Sequence, residues 1–406
     1  MDAAINIMKT RKRKASAPEA PFPELSEEII IKILVRLPVK SILRCRSVCK
    51  AWLATISDPT FTGAHLRHSA ARWEQDPTFI ITPITYDRLI PGNTQPTSFS
   101  NHISFYQWQQ SSASNGAAAR FLHAKDFAGE FNRQCHSAHC DGLVLAPTDT
   151  KLYLFNPATR ESITLPDSER NNLRYPAKAC HCAGFGLDPR TGKYKVVQAF
   201  YRCISAGFLS DVYLMGMEVF TVGGTGVWTE MMSRLPYPVL RWQTGLHVKG
   251  FMYCRLTLRS TDVLHDRELC LTACTDDKNK TVTIWTMPVD DDGGQGQWER
   301  RYSVRFQNIC HPMALAGSRL LLWRGSVLYG HDLAGTSESE LTTVCKLDRI
   351  RYQGRRKRKW NNLWTFNVNP YTESLVRLTA AAGEPSESRR AALLLHGEEL
   401  LRMLGD

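Results

Sequence analysis

What most limits the possible folds of this chain is its succession of short strand-like runs beyond about residue 120. LYLF (Leu152 to Phe155), YKVV (Tyr194 to Val197), MEVF (Met217 to Phe220), TVTIW (Thr281 to Trp285) and RLLLW (Arg319 to Trp323) are β-branched or aromatic runs between turn formers. That is the pattern of strands. No long amphipathic helix separates them, which argues against an alternating α/β chain with a parallel sheet. WRGSVLY reads as a hairpin turning at Arg324 and Gly325. A polar stretch at 91–119, rich in Ser, Asn, Gln, Pro and Ala, reads as a long loop.

Within this region one short motif recurs. FNPATRE (Phe155 to Glu161), LDPRTGK (Leu187 to Lys193) and VNPYTES (Val368 to Ser374) share an apolar residue, Asn or Asp, Pro, a variable residue and Thr. The Asx side chain can cap the backbone while Pro fixes its own φ, so each copy predicts a tight turn between two strands. Recurring four-stranded units of ~40–45 residues point to a β-propeller of about six or seven blades. The last copy then belongs to a blade that closes the ring. A β-sandwich with three such turns is the alternative.

The chain before residue 67 is different in kind. Ser26 can cap a helix, with Glu27 and Glu28 favoured in its first turn. The following IIIKILVRL is apolar over most of a helix circumference, and Pro38 ends it. A short helical turn at Ser41 to Arg44 comes next. Cys45, Val48, Cys49, Trp52, Leu53 and Ile56 then carry the i, i+3, i+4, i+7 spacing of one helical face, stopped by Ser57-Asp58-Pro59. Residues 23–66 are thus read as about three short helices, near the ~40-residue size below which a core is rarely self-sufficient. Either the rest of the chain covers the surplus apolar surface or a second protein does.

Four pieces of this unit, Leu25, RLPVKS, VCKAW and ISDPTF, occur in the order and spacing of an F-box. The segment resembles that family, especially its plant form, across nearly the whole motif. Ser26 departs from it, standing where the family usually has Pro. The resemblance implies binding to the Skp-type adaptor of a cullin-based ubiquitin ligase. Carried over position by position, the adaptor-facing residues are Leu25, Ser26, Ile29, Ile33, Leu34, Leu37, Pro38, Leu43, Val48, Cys49, Lys50 and Trp52. CDGLVLAP, LYLFNPATRESITLP, AGFGLDPRTGKYKVV and MEVFTVGGTGVW resemble, in order, the F-box-associated domain of plant F-box proteins. Members use that domain to hold the protein to be ubiquitinated. The expected organisation is a tail at 1–22, the F-box at 23–66, a β-propeller-like domain at 67–385 and a C-terminal helix or tail at 386–406. The fold class is mostly β with a small N-terminal α unit.

The remaining features define the alternatives. The 406 residues carry a formal net charge of +12. One basic cluster, Lys9, Arg11, Lys12, Arg13 and Lys14, lies in an aperiodic tail and reads as a nuclear import signal or a solvated segment. A second, Arg355 to Lys359, reads as an exposed loop. A nuclear nucleic-acid-binding or scaffold protein using these clusters is the competing function, with a nucleic-acid partner ranked below a protein one. The start of the chain has no apolar signal region, and no run is long enough to cross a membrane, so the expected compartment is nucleus, cytoplasm or both, with the 12 cysteines reduced. CHSAHC (Cys135 to Cys140) and CHC (Cys180 to Cys182) offer zinc-ligand chemistry at spacings that match no common finger. Three successive aspartates, Asp290 to Asp292, read as a solvated loop, and Val222 to Gly226 as a hairpin loop. No nucleophile elbow, metalloprotease motif, phosphate-binding loop or dinucleotide fingerprint is present. The expectation is a non-catalytic receptor without metal or cofactor, whose target protein is unknown.

Overall fold

The computed structural model describes residues 25–378 except 89–95, 111–117, 171–182, 207–210, 232–243, 249–250, 254–259, 265–267, 277–280, 289–296, 298, 306–309, 317, 334–340 and 357–358. The basic tail, the CHC triplet, the aspartate run and the C-terminal segment 386–406 lie outside the described residues. Four helices come first: α1 (Glu27–Leu34), α2 (Val39–Cys45), α3 (Lys50–Ser57) and α4 (Pro59–Gln75).

Strands follow in five sheets. The first contains β1 (Thr78–Arg88), β2 (Ser98–Phe99), β3 (His102–Gln109) and β4 (Ala118–Asp126); the second β5 (Ala138–Cys140), β6 (Leu143–Pro147), β7 (Leu152–Asn156) and β8 (Glu161–Thr164). The third holds β9 (Ala183–Asp188), β10 (Lys193–Ala206), β11 (Asp211–Thr221) and β12 (Thr229–Glu230), extended by β13 (Thr244–Val248) and β14 (Phe251–Tyr253). β15 (Ser260–Leu264), β16 (Glu268–Asp276), β17 (Thr281–Pro288) and β18 (Glu299–Arg305) make the fourth. The fifth has β19 (His311–Ala316), β20 (Arg319–Arg324), β21 (Val327–Asp332) and β22 (Thr342–Lys346). The chain then returns to the first sheet: β23 (Arg351–Tyr352) pairs in parallel with β4, and β24 (Leu363–Pro370) pairs antiparallel with β1.

Successive residues of a strand point to opposite faces, and here both faces meet a core. In β1, Phe79 and Ile81 pack with Leu321, Trp323 and Leu328 of the fifth sheet, while Ile80 packs with Val144, Tyr153 and Phe155 of the second. In β7, Tyr153 and Phe155 face that second core, whereas Leu154 joins Phe185 and Val196 of the third sheet. In β20, Leu321 and Trp323 face the first sheet, and Leu320 and Leu322 meet Ile284 and Val304 of the fourth. Each of these sheets is therefore flanked by two others. This explains why their strands read as unbroken apolar runs instead of alternating ones. β13 lies beside β15, linking the third sheet to the fourth. The domain is a β-propeller closed by β24.

Several local expectations need correction. The polar stretch 91–119 contains β2, β3 and the start of β4, with Ile103, Phe105 and Trp108 buried. In β3 the Ser and Gln residues are interspersed with large apolar ones on both faces, Tyr106 and Trp108 joining one core and Ile103 and Phe105 another, which composition alone hid. The apolar positions from Cys45 to Ile56 are not one helix: α2 ends at Cys45, and Cys49 caps α3 with its Sγ accepting from the Trp52 N–H at 3.4 Å. A fourth helix was also missed. Asp58 caps it through the Thr60 N–H at 2.7 Å, and Trp73 near its end donates to the Thr78 carbonyl at 2.7 Å.

The repeated motif gives two tight turns and one different structure. Asn156 Oδ1 accepts from Ala158 and Thr159 N–H at 3.1 and 3.3 Å, turning β7 into β8. Asp188 accepts from Arg190 N–H at 3.0 Å between β9 and β10. The third copy ends β24 and joins no second strand among the described residues. Its continuation, 371–378, crosses the second sheet instead. A Cβ on Gly142 (φ +78) would collide there with the Thr372 carbonyl oxygen, so the CDGL turn requires glycine.

Candidate functional site

The helical unit begins where Ser26 Oγ accepts from the Ile29 N–H at 3.4 Å, with Glu27 and Glu28 in the first turn. On the inward face of α1, Leu34 and the following Val35 are 1% and 2% exposed. They share a core with Val39, Ile42, Ile56, Phe61 and Ala64 from the other three helices and their ends. Two residues of the β-domain complete this core: Leu375 from the segment after β24, and half-buried Ala158 from the Asn156 turn. Pro38 precedes α2 and offers no side-chain cap; Glu373 supplies one, its Oε2 accepting from the Val39 N–H at 2.9 Å. Glu373 also forms an ion pair with Arg120 of β4. His65 on α4 contacts the Leu37 carbonyl at 3.0 Å through Nε2. The unit is thus anchored on its own chain.

Docking leaves a different apolar surface uncovered. Leu25, Ile29 and Ile33 are 57%, 45% and 48% exposed, and Ile29 and Ile33 lie one turn apart on one face of α1. Val48 and Leu53 are also exposed. Large side chains at a helix surface with no intrachain cover are characteristic of interaction sites. Of the residues expected to face an adaptor, Leu25, Ser26, Ile29, Ile33, Pro38, Val48, Cys49 and Lys50 are exposed. Leu37, Leu43 and Trp52 are half-buried against the unit's own core. Leu34 is the exception: it faces inward, and its role is to hold the helices together. Leu53, which the spacing places on one helical face with Ile56, is exposed whereas Ile56 is buried, because α2 and α3 are separate helices.

The β-domain places the other singled-out residues in structural roles. His136 Nδ1 lies 2.6 Å from Asn367 Oδ1, and Cys140 ends β5. Among the described residues, no three His, Cys, Asp or Glu side chains gather as metal ligands. Asp141 and Gly142 both have positive φ, and Asp141 accepts from the Tyr194 hydroxyl at 2.8 Å. Burial, reinforced by the Asp141 charge, raises the Tyr194 pKa. In the second basic cluster, the Arg355 guanidinium stacks over Trp360, 3.4 Å from the ring centroid. No helix among the described residues is long and apolar enough to cross a membrane.

Comparison with known proteins agrees with both parts of this architecture. Residues 22–62 match the F-box domain family, and 95–264 match the F-box associated beta propeller domain. An Arabidopsis thaliana protein named as an F-box protein is 28% identical over 234 residues, covering 56% of this chain and 54% of the relative. An F-box/kelch-repeat protein of the same plant is 27% identical over 259 residues, covering 61% and 56%. The chain therefore spans little more than half the length of these relatives. Among solved structures, apo AztD from Citrobacter koseri aligns over 74% of this chain and 100% of its own, at 9% identity. Its TM-score of 0.33 carries no weight for the fold. With an F-box on a docked helical unit and an associated propeller domain behind it, the chain is a plant F-box protein.

Proposed function

We propose that this protein is the substrate-recognition subunit of an SCF-type ubiquitin ligase. The exposed face at Leu25, Ile29 and Ile33 binds a Skp-type adaptor, which connects it to a cullin scaffold. The β-domain holds a target protein near the charged ubiquitin-carrying enzyme. Proximity raises the effective concentration of target lysines, so no catalytic residue is required from this chain. Its place of work is the nucleus, the cytoplasm or both.

The observation that carries this reading is that the helical unit is covered on one side by its own β-domain yet leaves large aliphatic side chains bare. Intrachain docking and partner binding therefore use separate surfaces. The test is capture of a purified Skp-type adaptor by the full chain. Wild type binds, and the double variant Ile29→Asp, Ile33→Asp remains folded but loses binding. Failure of wild type to bind, or equal binding by the double variant, rejects the proposal.

A further inference from the structure

A cavity of about 390 Å³ lies where the helical unit meets the β-domain, a size typical of small-ligand sites. Its walls come from the link between α1 and α2, from α4, from β3 and β4, and from the segment after β24. Two polar residues in this wall are almost fully buried: His65 at 1% exposure and Tyr371 at 3%. Neither His65 Nδ1 nor the Tyr371 hydroxyl has a hydrogen-bond partner. Buried polar groups are paired as a rule, and an unpaired one calls for a ligand or another explanation.

The chemistry of the missing partner follows from these groups. His65 Nε2 faces the Leu37 carbonyl, which only accepts, so Nε2 carries the proton and Nδ1 presents a lone pair. Burial lowers the His65 pKa, outweighing the Leu37 carbonyl and Glu373, which raise it. Burial and then the Glu373 charge raise the Tyr371 pKa, keeping its hydroxyl a donor. Arg36, Arg72 and Arg120 border the same space. Burial, followed by the charges of Arg36 and Arg72, lowers the pKa of neighbouring His68. The opposing carboxylates are Asp76 and Glu373, and Glu373 is already paired with Arg120 and the Val39 N–H.

We propose that this cavity binds a small soluble oxyanion, with Tyr371 and the arginines donating to its oxygens and His65 donating from Nδ1 as the imidazolium. An anion beside the buried ring favours its charged form, so binding takes up a proton. Around that ring, His68 disfavours the charged form from the helical unit, and Arg36, Arg72 and Asp76 also line the cavity from that side. From the β-domain Glu373 favours the charged form, and Arg120, paired with Glu373, lines the cavity beside it. The anion adds to the side of Glu373. Because it touches both parts of the molecule, the bound anion fastens the helical unit to the β-domain and stabilises the folded chain.

The test is calorimetric titration of the full chain with sulfate, at about pH 6 and about pH 8, in buffers of different ionisation heat. Sulfate keeps its charge across this range, so pH dependence belongs to the protein. Acetate in a parallel series probes the carboxylate class. Saturable binding of either anion is expected, about tenfold tighter at the lower pH and accompanied by proton uptake. Arg72→Gln weakens it by about tenfold. Tyr371→Phe also weakens binding, yet leaves the unliganded chain at least as resistant to heat, since it removes a buried unpaired hydroxyl. No saturable binding of either anion at the lower pH, or binding unchanged in both variants, overturns the proposal. No adaptor is present in this assay, so its outcome is independent of the ligase reading.

Discussion

Glu373 accepts a hydrogen bond from the backbone N–H of Val39 at 2.9 Å, joining residues 334 positions apart. The contact places a carboxylate at the positive end of α2, where Pro38 supplies no cap. Glu373→Ala should cost about 1–2 kcal/mol in urea unfolding. Glu373→Gln, which keeps an acceptor oxygen without the charge, should cost less. Equal stability of both variants and wild type would show that the contact does not hold α2.

Ile33 and Leu34 are adjacent in sequence and opposite in role, at 48% and 1% exposure. Leu34→Ala empties part of the helical core and should destabilise by about 2–5 kcal/mol. Ile33→Ala should stay within about 0.5 kcal/mol of wild type. Chemical denaturation of the two single variants measures the contrast directly.

Asn156 is fully buried and uses both ends of its amide. Besides capping its own turn, its Nδ2 donates to Ser374 O at 3.0 Å and Val376 O at 2.8 Å. Asn156→Ala leaves several buried backbone groups unpaired, at about 1–3 kcal/mol each before relaxation. Because neighbouring Ala158 lies under the helices, hydrogen exchange in α1 and α2 should quicken along with exchange in the turn.

Asp188 has its pKa lowered to about 2, chiefly by the Lys195 ammonium, 2.6 Å from Oδ2, with help from Thr191 and the Arg190 N–H. A carboxylate whose folded pKa lies below its unfolded value stabilises above the unfolded value and loses that contribution as pH falls through the folded one. The stabilisation should therefore be complete above about pH 4 and fade towards pH 2. In thermal melts across that window, Asp188→Asn should show a shallower acid decline than wild type. An identical decline would mean that this ion pair contributes nothing.

The parts of the molecule legible in sequence were those set by local chemistry. Strands such as Leu152–Asn156 and Arg319–Arg324 declare themselves because both faces are buried and their central positions are all apolar. The Asn156 and Asp188 turns were legible because Asx-Pro acts within three residues. The Ser26 cap was legible for the same reason. What was not legible depends on distant partners. Nothing near Val39 announces Glu373, and nothing near α1 says that Leu375 and Ala158 cover one of its sides and leave Ile29 and Ile33 bare. The break between α2 and α3 was hidden because the apolar spacing runs on through Val48, a residue that proves to be exposed.

Closure of the first sheet by β24 also has a consequence for how the molecule is made. A ribosome releases α1 first, but the strand that completes the sheet, and Glu373 and Leu375 that support the helices together with Ala158, come only at 363–378. For most of synthesis the helices therefore lack the Glu373 cap and the Leu375 contact. They are seated only after nearly all of the propeller strands have emerged. A stop codon anywhere between residues 67 and 362 leaves the F-box sequence intact and removes Glu373 and Leu375 from its platform. Firm seating of the F-box is therefore reserved for a chain whose β-domain has been completed.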